Sequence, residues 1–251
     1  MEIIEHPPIL HIPGIPDQVF YTWVVMAILV IVGVISTRRL AMVPRGSQNF
    51  MEVVLEQFLN ELDETVGPDG RRYIPLIATL GLFILVSNLM GLVPGLIAPT
   101  ANLNTTAACA LIVFFTYHWI GMRKQGVVNY LKHFAGPVPV ALKPLMFVIE
   151  IISHCARPLS LSLRLFGNMM AGHILLAIFF FMMGLDGMLG WALRGTLGGI
   201  VLGAPATLLI VLFVIGFLFP LKILVALIQT FIFCKLAMLY IAEAVAEPEH
   251  H

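Results

Sequence analysis

The chain has 251 residues, 59% of them hydrophobic and 11% charged, and its formal net charge is zero. Soluble domains carry about a quarter charged residues, so this deficit, with a mean hydropathy of +0.97, places the chain in the membrane class. The balanced charge offers no bulk basic surface for nucleic acid. Cys109, Cys155 and Cys234 all lie in apolar segments without C-x-x-C spacing, so they suggest neither a disulfide framework nor a zinc site.

The first 17 residues are acidic and proline-rich. They lack the basic start of a cleavable signal and the Arg/Ser bias of a transit peptide, so the first apolar run is expected to be a retained span. That run, 18–37, is uncharged and ends at Arg38-Arg39; about 20 apolar residues suffice for one crossing. Over 47–66, Phe50, Val54, Phe58 and Leu62 recur every four residues, with Glu52, Glu56, Asp63 and Glu64 on other faces. This spacing predicts an amphipathic helix, either at the membrane surface or as a solvated linker.

The uncharged stretch from Tyr73 to Met122 is too long for one crossing, and the segment from Pro94-Gly95 to Pro99 divides it. Spans are predicted at 74–95 and 102–121. From Pro144 two long helical segments follow, 145–183 and 197–246, joined by a Gly-rich turn around Gly184–Gly195. Both exceed a perpendicular crossing, which tilt or a break would accommodate. Pro158, Pro205 and Pro220 are candidate kinks. The predicted fold class is an all-α membrane protein. It has about five membrane-embedded helices plus one amphipathic surface helix, the last two membrane helices forming a long tilted hairpin. The whole chain, 1–251, reads as a single multi-pass domain with no internal repeat and no low-complexity tract.

Basic residues set the orientation. Arg38, Arg39, Arg45, Arg71 and Arg72 lie between spans one and two, and Arg123, Lys124, Lys132 and Lys143 follow span three. The connection near Ile97–Ala101 has no Lys or Arg, and the final turn has only Arg194. The N-terminus is therefore expected outside and the C-terminus inside.

Ionisable groups in a bilayer cost about 3 kcal/mol or more each. In the first long helix Glu150, Ser153, Arg157, Ser160, Arg164 and Asn168 follow at spacings of three, four, three, four and four. At about 100° per residue they form one stripe. A guanidinium does not escape burial by deprotonation. Arg157 lies near enough to the inner surface to snorkel, whereas Arg164 is too deep to do so easily. The second long helix carries Lys222, Gln229 and Glu243 on one face, at intervals of seven and fourteen. If Gln229 lies level with Arg164 in an antiparallel hairpin, His173 and Lys222 share an outer level. Glu150 and Glu243 then share an inner one. Two water-accessible half-paths on either side of a fixed positive charge are the physical reading.

At this point a family resemblance enters. SLSLRLFGNMMAGH (Ser160–His173) resembles the signature of subunit a of the F-type ATP synthase. So do PLIATLGLFILVSNLMGLVPG (Pro75–Gly95), VPRGSQNFME (Val43–Glu52) and ALIQTFIFCKLAMLYIAEA (Ala226–Ala244), in the family's order. The resemblance implies a bacterial inner-membrane subunit that works against a rotating ring of small subunits (the c-ring). Subunit b of the peripheral stalk, the other synthase subunits and the lipid bilayer are the further implied partners. A proton would enter an outer half-channel, neutralise a ring carboxylate, travel round with the ring and leave through an inner half-channel. The flow would drive ATP synthesis. Arg164 matches the family's essential arginine. Asn168, His173, Lys222 and Gln229 match outer half-channel and helix-packing positions; Glu150, Ser153 and Ser160 match the inner path.

One departure stands out. The family usually pairs an acidic residue with a histidine at the His173/Lys222 level, and here the partner of His173 is a lysine. Lys222 is then neutral, turned to water, or compensated by a carboxylate from elsewhere; His173 is expected to handle the proton and Lys222 to tune it. The other histidines carry less weight: His118 and His154 lie near helix ends or beside the stripe, and His6, His11, His133, His250 and His251 are expected in solvent. No H-E-x-x-H or G-x-x-x-x-G-K-[ST] motif is present, so no catalytic centre and no cofactor are expected on this chain. A proton is the default ion, because no cluster of extra oxygen ligands appears. An ion-coupled secondary transporter is the alternative, although such proteins usually show internal repeats. A purely structural membrane anchor would have no need of the ionisable stripe.

Overall fold

The structure, a computed structural model, describes residues 16–38, 40–93, 95–127, 129–130, 142–184, 187–194 and 198–245, with Gly14, Pro139 and Thr196. Nearly all of the expected outer segment 1–17 lies outside these residues, as do Arg39, Pro94, Lys132 and position 246. His6, His11, His133, His250 and His251 lie outside them too.

Among the described residues every regular element is helical. The longer helices are α1 (Asp17–Thr37), α2 (Ser47–Thr65), α3 (Ile74–Met90), α4 (Leu103–Gln125) and α5 (Lys143–Met183). A short α6 (Met188–Leu193) occupies the turn of the hairpin, and α7 (Ala204–Phe213) and α8 (Phe219–Val245) form its return arm. Among the described residues five helical stretches are long and apolar enough to cross a membrane.

Helix α3 stops at Met90, short of the expected 95. Gly91, Leu92 and Val93 donate to Ser87, Leu89 and Met90, tightening the last turn. Val93 precedes a proline in the sequence, a position disfavoured in α conformation. Gly95 then turns the chain at φ +87°. Helix α4 is capped by Asn102, whose Oδ1 accepts from Asn104 N at 2.8 Å.

The three candidate kinks behave differently. Pro158 lies inside α5, which continues through it. Pro205 and Pro220 each follow a π-helical stretch, at Gly199–Gly203 and Val214–Leu218. A proline ring presses on the carbonyl four residues earlier. Those carbonyls belong to Val201 and Gly216, each at the middle of its π stretch. The wider turn moves them off the ring.

Helix α5 packs chiefly on α4, and α8 chiefly on α3, while α5 and α8 touch sparsely. The main core joins Ile77 and Ile84 of α3, Val113 and Tyr117 of α4, Leu165 of α5 and Phe233, Met238 and Ile241 of α8. Leu62 of α2 belongs to it, and Phe58 packs against it. The apolar stripe of α2 is thus docked on the bundle; only its start, with Phe50 at 66% exposure, is left open.

The ends of the helices meet in two groups. At one end Tyr21 Oη donates to Gly95 O at 3.5 Å. At the other, Lys124 Nζ at the end of α4 donates to Val245 O at the end of α8, at 2.7 Å. Lys235 Nζ and Glu61 Oε2, 2.5 Å apart, tie α8 to α2.

Candidate functional site

Arg164 lies midway along α5 on an uncovered face. Its Nη2 donates to Ser160 Oγ at 3.3 Å, one turn away. Among the described residues no carboxylate lies within ion-pair distance of it. Leu159 and Leu163 beside it are 58% and 46% exposed. A guanidinium among open apolar side chains is costly to leave without a counter-charge in an apolar medium. Ser153 and Ser160 share this exposed side, and Asn168 is half-buried. Gln229 is buried at 7% and shares no hydrogen bond with Arg164. The reason is the sparse contact between α5 and α8.

Towards the end where α3 turns into α4, the helices enclose a polar cluster. His173 is half-buried, and its Nε2 is buried without a partner among the described residues. It lies against Gly91, where a Cβ would come within 3.0 Å of Nε2. Lys222 folds over Gly172, where a Cβ would meet Lys222 Cε at 2.8 Å and Nζ at 3.0 Å. His173 and Lys222 therefore occupy neighbouring positions at one level, each seated on a glycine. Among the described residues no carboxylate pairs with Lys222. Close by in α3, Asn88 is fully buried and its Oδ1 accepts from Thr100 Oγ1 at 2.8 Å. Asn88 Nδ2 and Ser87 Oγ are buried without partners, atoms of the kind that ordered water ordinarily satisfies.

At the opposite end a second cluster surrounds the start of α5. Glu150 Oε1 lies 3.3 Å from His154 Nε2, one turn along the helix. His154 Nδ1 lies 3.1 Å from Tyr117 Oη on α4. Arg157 makes a two-pronged pair with Glu243 of α8, at 2.6 and 2.9 Å. Its guanidinium stacks 5.0 Å from the Tyr240 ring centroid. Glu150 and Glu243 line the same narrow cavity, together with Tyr117, His154, Arg157 and Tyr240. Arg157 is thus paired, and a carboxylate from the other arm neutralises it.

Several of these residues were passed over in the sequence. His154 stood beside the stripe, and its partner Tyr117 is 37 residues away. Asn88 and Gly91 lie within Pro75–Gly95 and Gly172 within Ser160–His173, but nothing in a single sequence shows which glycine carries a neighbour's side chain. A polar Asn in an uncharged span was the one available signal for Asn88. Among the described residues no group of three His, Cys, Asp or Glu is arranged to hold a metal ion.

Residues 19–242 match the family model described as ATP synthase A chain. The chain is similar to ATP synthase subunit a of Geobacter sulfurreducens, at 48% identity over 92% of this chain and 88% of that one. It is similar also to ATP synthase subunit a 2 of Syntrophotalea carbinolica, at 48% identity over 93% and 88%. A third relative, ATP synthase subunit a of Geotalea daltonii, is 45% identical over 93% and 90%.

Proposed function

The chain belongs to the ATP synthase A chain family, and from that premise we propose that it is the ion-conducting stator subunit of the synthase's membrane sector. It is a bacterial membrane protein and a non-catalytic subunit; ATP chemistry sits on its partners. It forms two half-channels against a rotating ring of carboxylate-bearing small subunits, the c-ring. Subunit b holds it in place. It lies in the inner membrane with the N-terminus outside and the C-terminus in the cytoplasm.

The observation that carries this reading is Arg164. It is a permanent charge on an uncovered face, without a carboxylate of its own, between two separate polar clusters at opposite ends of the bundle. A ring carboxylate passing this face would find its ionised form favoured by the guanidinium and would release its proton there. The same charge repels a proton running directly from one cluster to the other. Asn168, His173, Lys222 and Gln229 belong to the outer path, with His173 handling the proton. Glu150, Ser153 and Ser160 belong to the inner path. Each proton crossing with the membrane potential contributes about 2.3 kcal/mol per 100 mV.

Inverted vesicles carrying the whole synthase test the proposal. Arg164→Ala is expected to abolish ATP-driven acidification while the ring still co-purifies. Retained acidification would overturn the role of Arg164. His173→Leu is expected to impair proton-driven ATP synthesis; unimpaired synthesis removes His173 from the path. Acidification that persists at very low sodium excludes an obligate sodium pump, and its loss shows a requirement for sodium. If the chain purified without a ring moved a solute in liposomes, it would be a secondary transporter instead.

A further inference from the structure

We infer that the inner path ends not on a lone carboxylate but on a proton-sharing pair, Glu150 and His154, with Tyr117 holding the imidazole. The inference deepens the proposed function and rests on it. Three distances carry it. His154 Nε2 is 3.3 Å from Glu150 Oε1, and His154 Nδ1 is 3.1 Å from Tyr117 Oη. The Arg157 pair with Glu243, at 2.6 and 2.9 Å, keeps the nearest cation engaged elsewhere.

Both ring nitrogens thus meet polar groups. Neutral His154 keeps its proton on Nδ1, donated to Tyr117 Oη, and leaves Nε2 bare. A proton arriving through the cavity adds at Nε2, and the pair is then imidazolium and carboxylate, joined through Nε2–H. Passage of that proton to Glu150 Oε1 and on to cavity water leaves Nε2 bare again, with Nδ1–H still on Tyr117 Oη, so the starting state is restored. No atom other than hydrogen moves, and no further reactant is required.

The surroundings suit this role. His154 is 12% exposed at its side chain and Glu150 31%, so the carboxylate is the wetter partner and the imidazole the deeper one. Among the described residues, titratable or charged groups facing the imidazole include Glu150 and Arg157 on its own helix, and Tyr117 and His118 on α4. Glu243 and Tyr240 of α8 also line the cavity, as do Gln125 at the end of α4 and Tyr130 beyond it. Among the described residues of this cluster, the two histidines are the groups whose ordinary pKa, about 6.5, lies within the physiological range. His118 stacks edge-on 5.2 Å from His154, but its Nδ1 is engaged with Phe114 O at 3.0 Å.

The test uses inverted vesicles of the whole synthase, in which the medium sets the pH at the inner face. ATP-driven proton pumping is measured against medium pH and divided by ATP hydrolysis of the same vesicles made leaky. The wild-type curve is expected to fall through a limb near imidazole's range. His154→Gln keeps a donor and an acceptor but no titratable proton, and is expected to lose this limb and to pump several-fold more slowly. A curve superimposable on wild type overturns the inference. If His154→Gln does not assemble, Tyr117→Phe is read instead. It leaves the pair intact but is expected to displace the limb, and an unmoved limb overturns the inference. Glu150→Gln and His154→Gln together are expected to do no more than either alone, whereas additive losses would show two independent groups and sink the pair. If Arg164→Ala and Glu150→Gln both pump normally, the proposed function itself fails and takes this inference with it. Failure at His154 alone leaves the proposed function standing.

Discussion

Lys222 lies on Gly172, the residue before His173: a Cβ at position 172 would meet Lys222 Cε at 2.8 Å and Nζ at 3.0 Å. This contact gives the His173/Lys222 level its geometry. A side chain at 172 would push the ammonium away, and the end of a lysine moves readily. Gly172→Ala is therefore expected to assemble normally and to change proton pumping through the displaced Lys222. Gly91→Ala differs, because its Cβ would meet Ala98 Cβ at 2.7 Å, and that atom is fixed to the backbone. It is expected to lower stability by about 1–3 kcal/mol. Thermal unfolding of both variants in detergent, beside pumping in vesicles, checks the contrast; equal stability losses would remove it.

Gly81 marks the place where three helices interlock. A Cβ there would come within 2.8 Å of Cys234 Sγ on α8 and 2.8 Å of Phe58 Cζ on α2. Gly81→Ala is expected to destabilise the bundle by about 1–3 kcal/mol. Adding Cys234→Ala removes one obstructing atom, so the double variant is expected to lose less than the two single losses combined. Strict additivity in thermal unfolding would show that the contact does not limit the packing.

How far the sequence showed all this depends on distance along the chain. The long apolar helices were legible because they announce themselves by length and lack of charge. The stripe from Glu150 to Asn168 was legible because helical periodicity is local. The docking of α2 was not, since amphipathic spacing tells which face is apolar and not what covers it. The Glu61–Lys235 pair joins residues 174 apart, and no local pattern links them. The sparse contact between α5 and α8 was hidden for a related reason. Short connections suggest neighbours, yet α3 and α4 draw the two arms onto themselves through Ile77, Val113 and Tyr117. The π stretches were half-visible: the prolines were marked, but the widened turns before them were not.

The Glu61–Lys235 pair predicts a structural coupling between α2 and α8. The two side chains are 20% and 32% exposed, so solvent screens them only partly. Lys235→Met is expected to cost about 1 kcal/mol and to loosen α2, seen as faster proteolysis between α1 and α3. The charge-swapped Glu61→Lys with Lys235→Glu is expected to recover protection. A swap as labile as the single variant would deny that the charges join these helices.

Helix α2 also carries a pH signature. Hydrogen bonds from Arg71 hold the Asp63 carboxyl below its ordinary 3.8. Because the folded value is depressed, the contact contributes fully above the unfolded value and is lost as pH falls through the folded one. The turn after α2 is therefore expected to be indifferent to pH near neutrality and to loosen only in acid below 3.8. NMR titration of a labelled Asp63 carboxyl checks this: Arg71→Gln is expected to raise its midpoint, and an unmoved midpoint would contradict the pairing.

The Arg157–Glu243 pair gives the sharpest test of charge placement. Arg157 sits seven residues, about two turns, before Arg164 on the same helix, and its side chain is only 17% exposed. Paired with Glu243 it adds no net charge to the cavity that Glu150 lines. Glu243→Gln leaves an uncompensated cation beside Glu150, which would repel protons from it. Pumping is expected to fall several-fold, with a larger loss at low ionic strength, where screening is weakest. Removing both charges, Arg157→Gln with Glu243→Gln, is expected to recover much of the rate. If the double variant pumps no better than Glu243→Gln, the loss belongs to the missing carboxylate itself. Glu243 would then be a proton-carrying group on the path and not a counter-charge for Arg157.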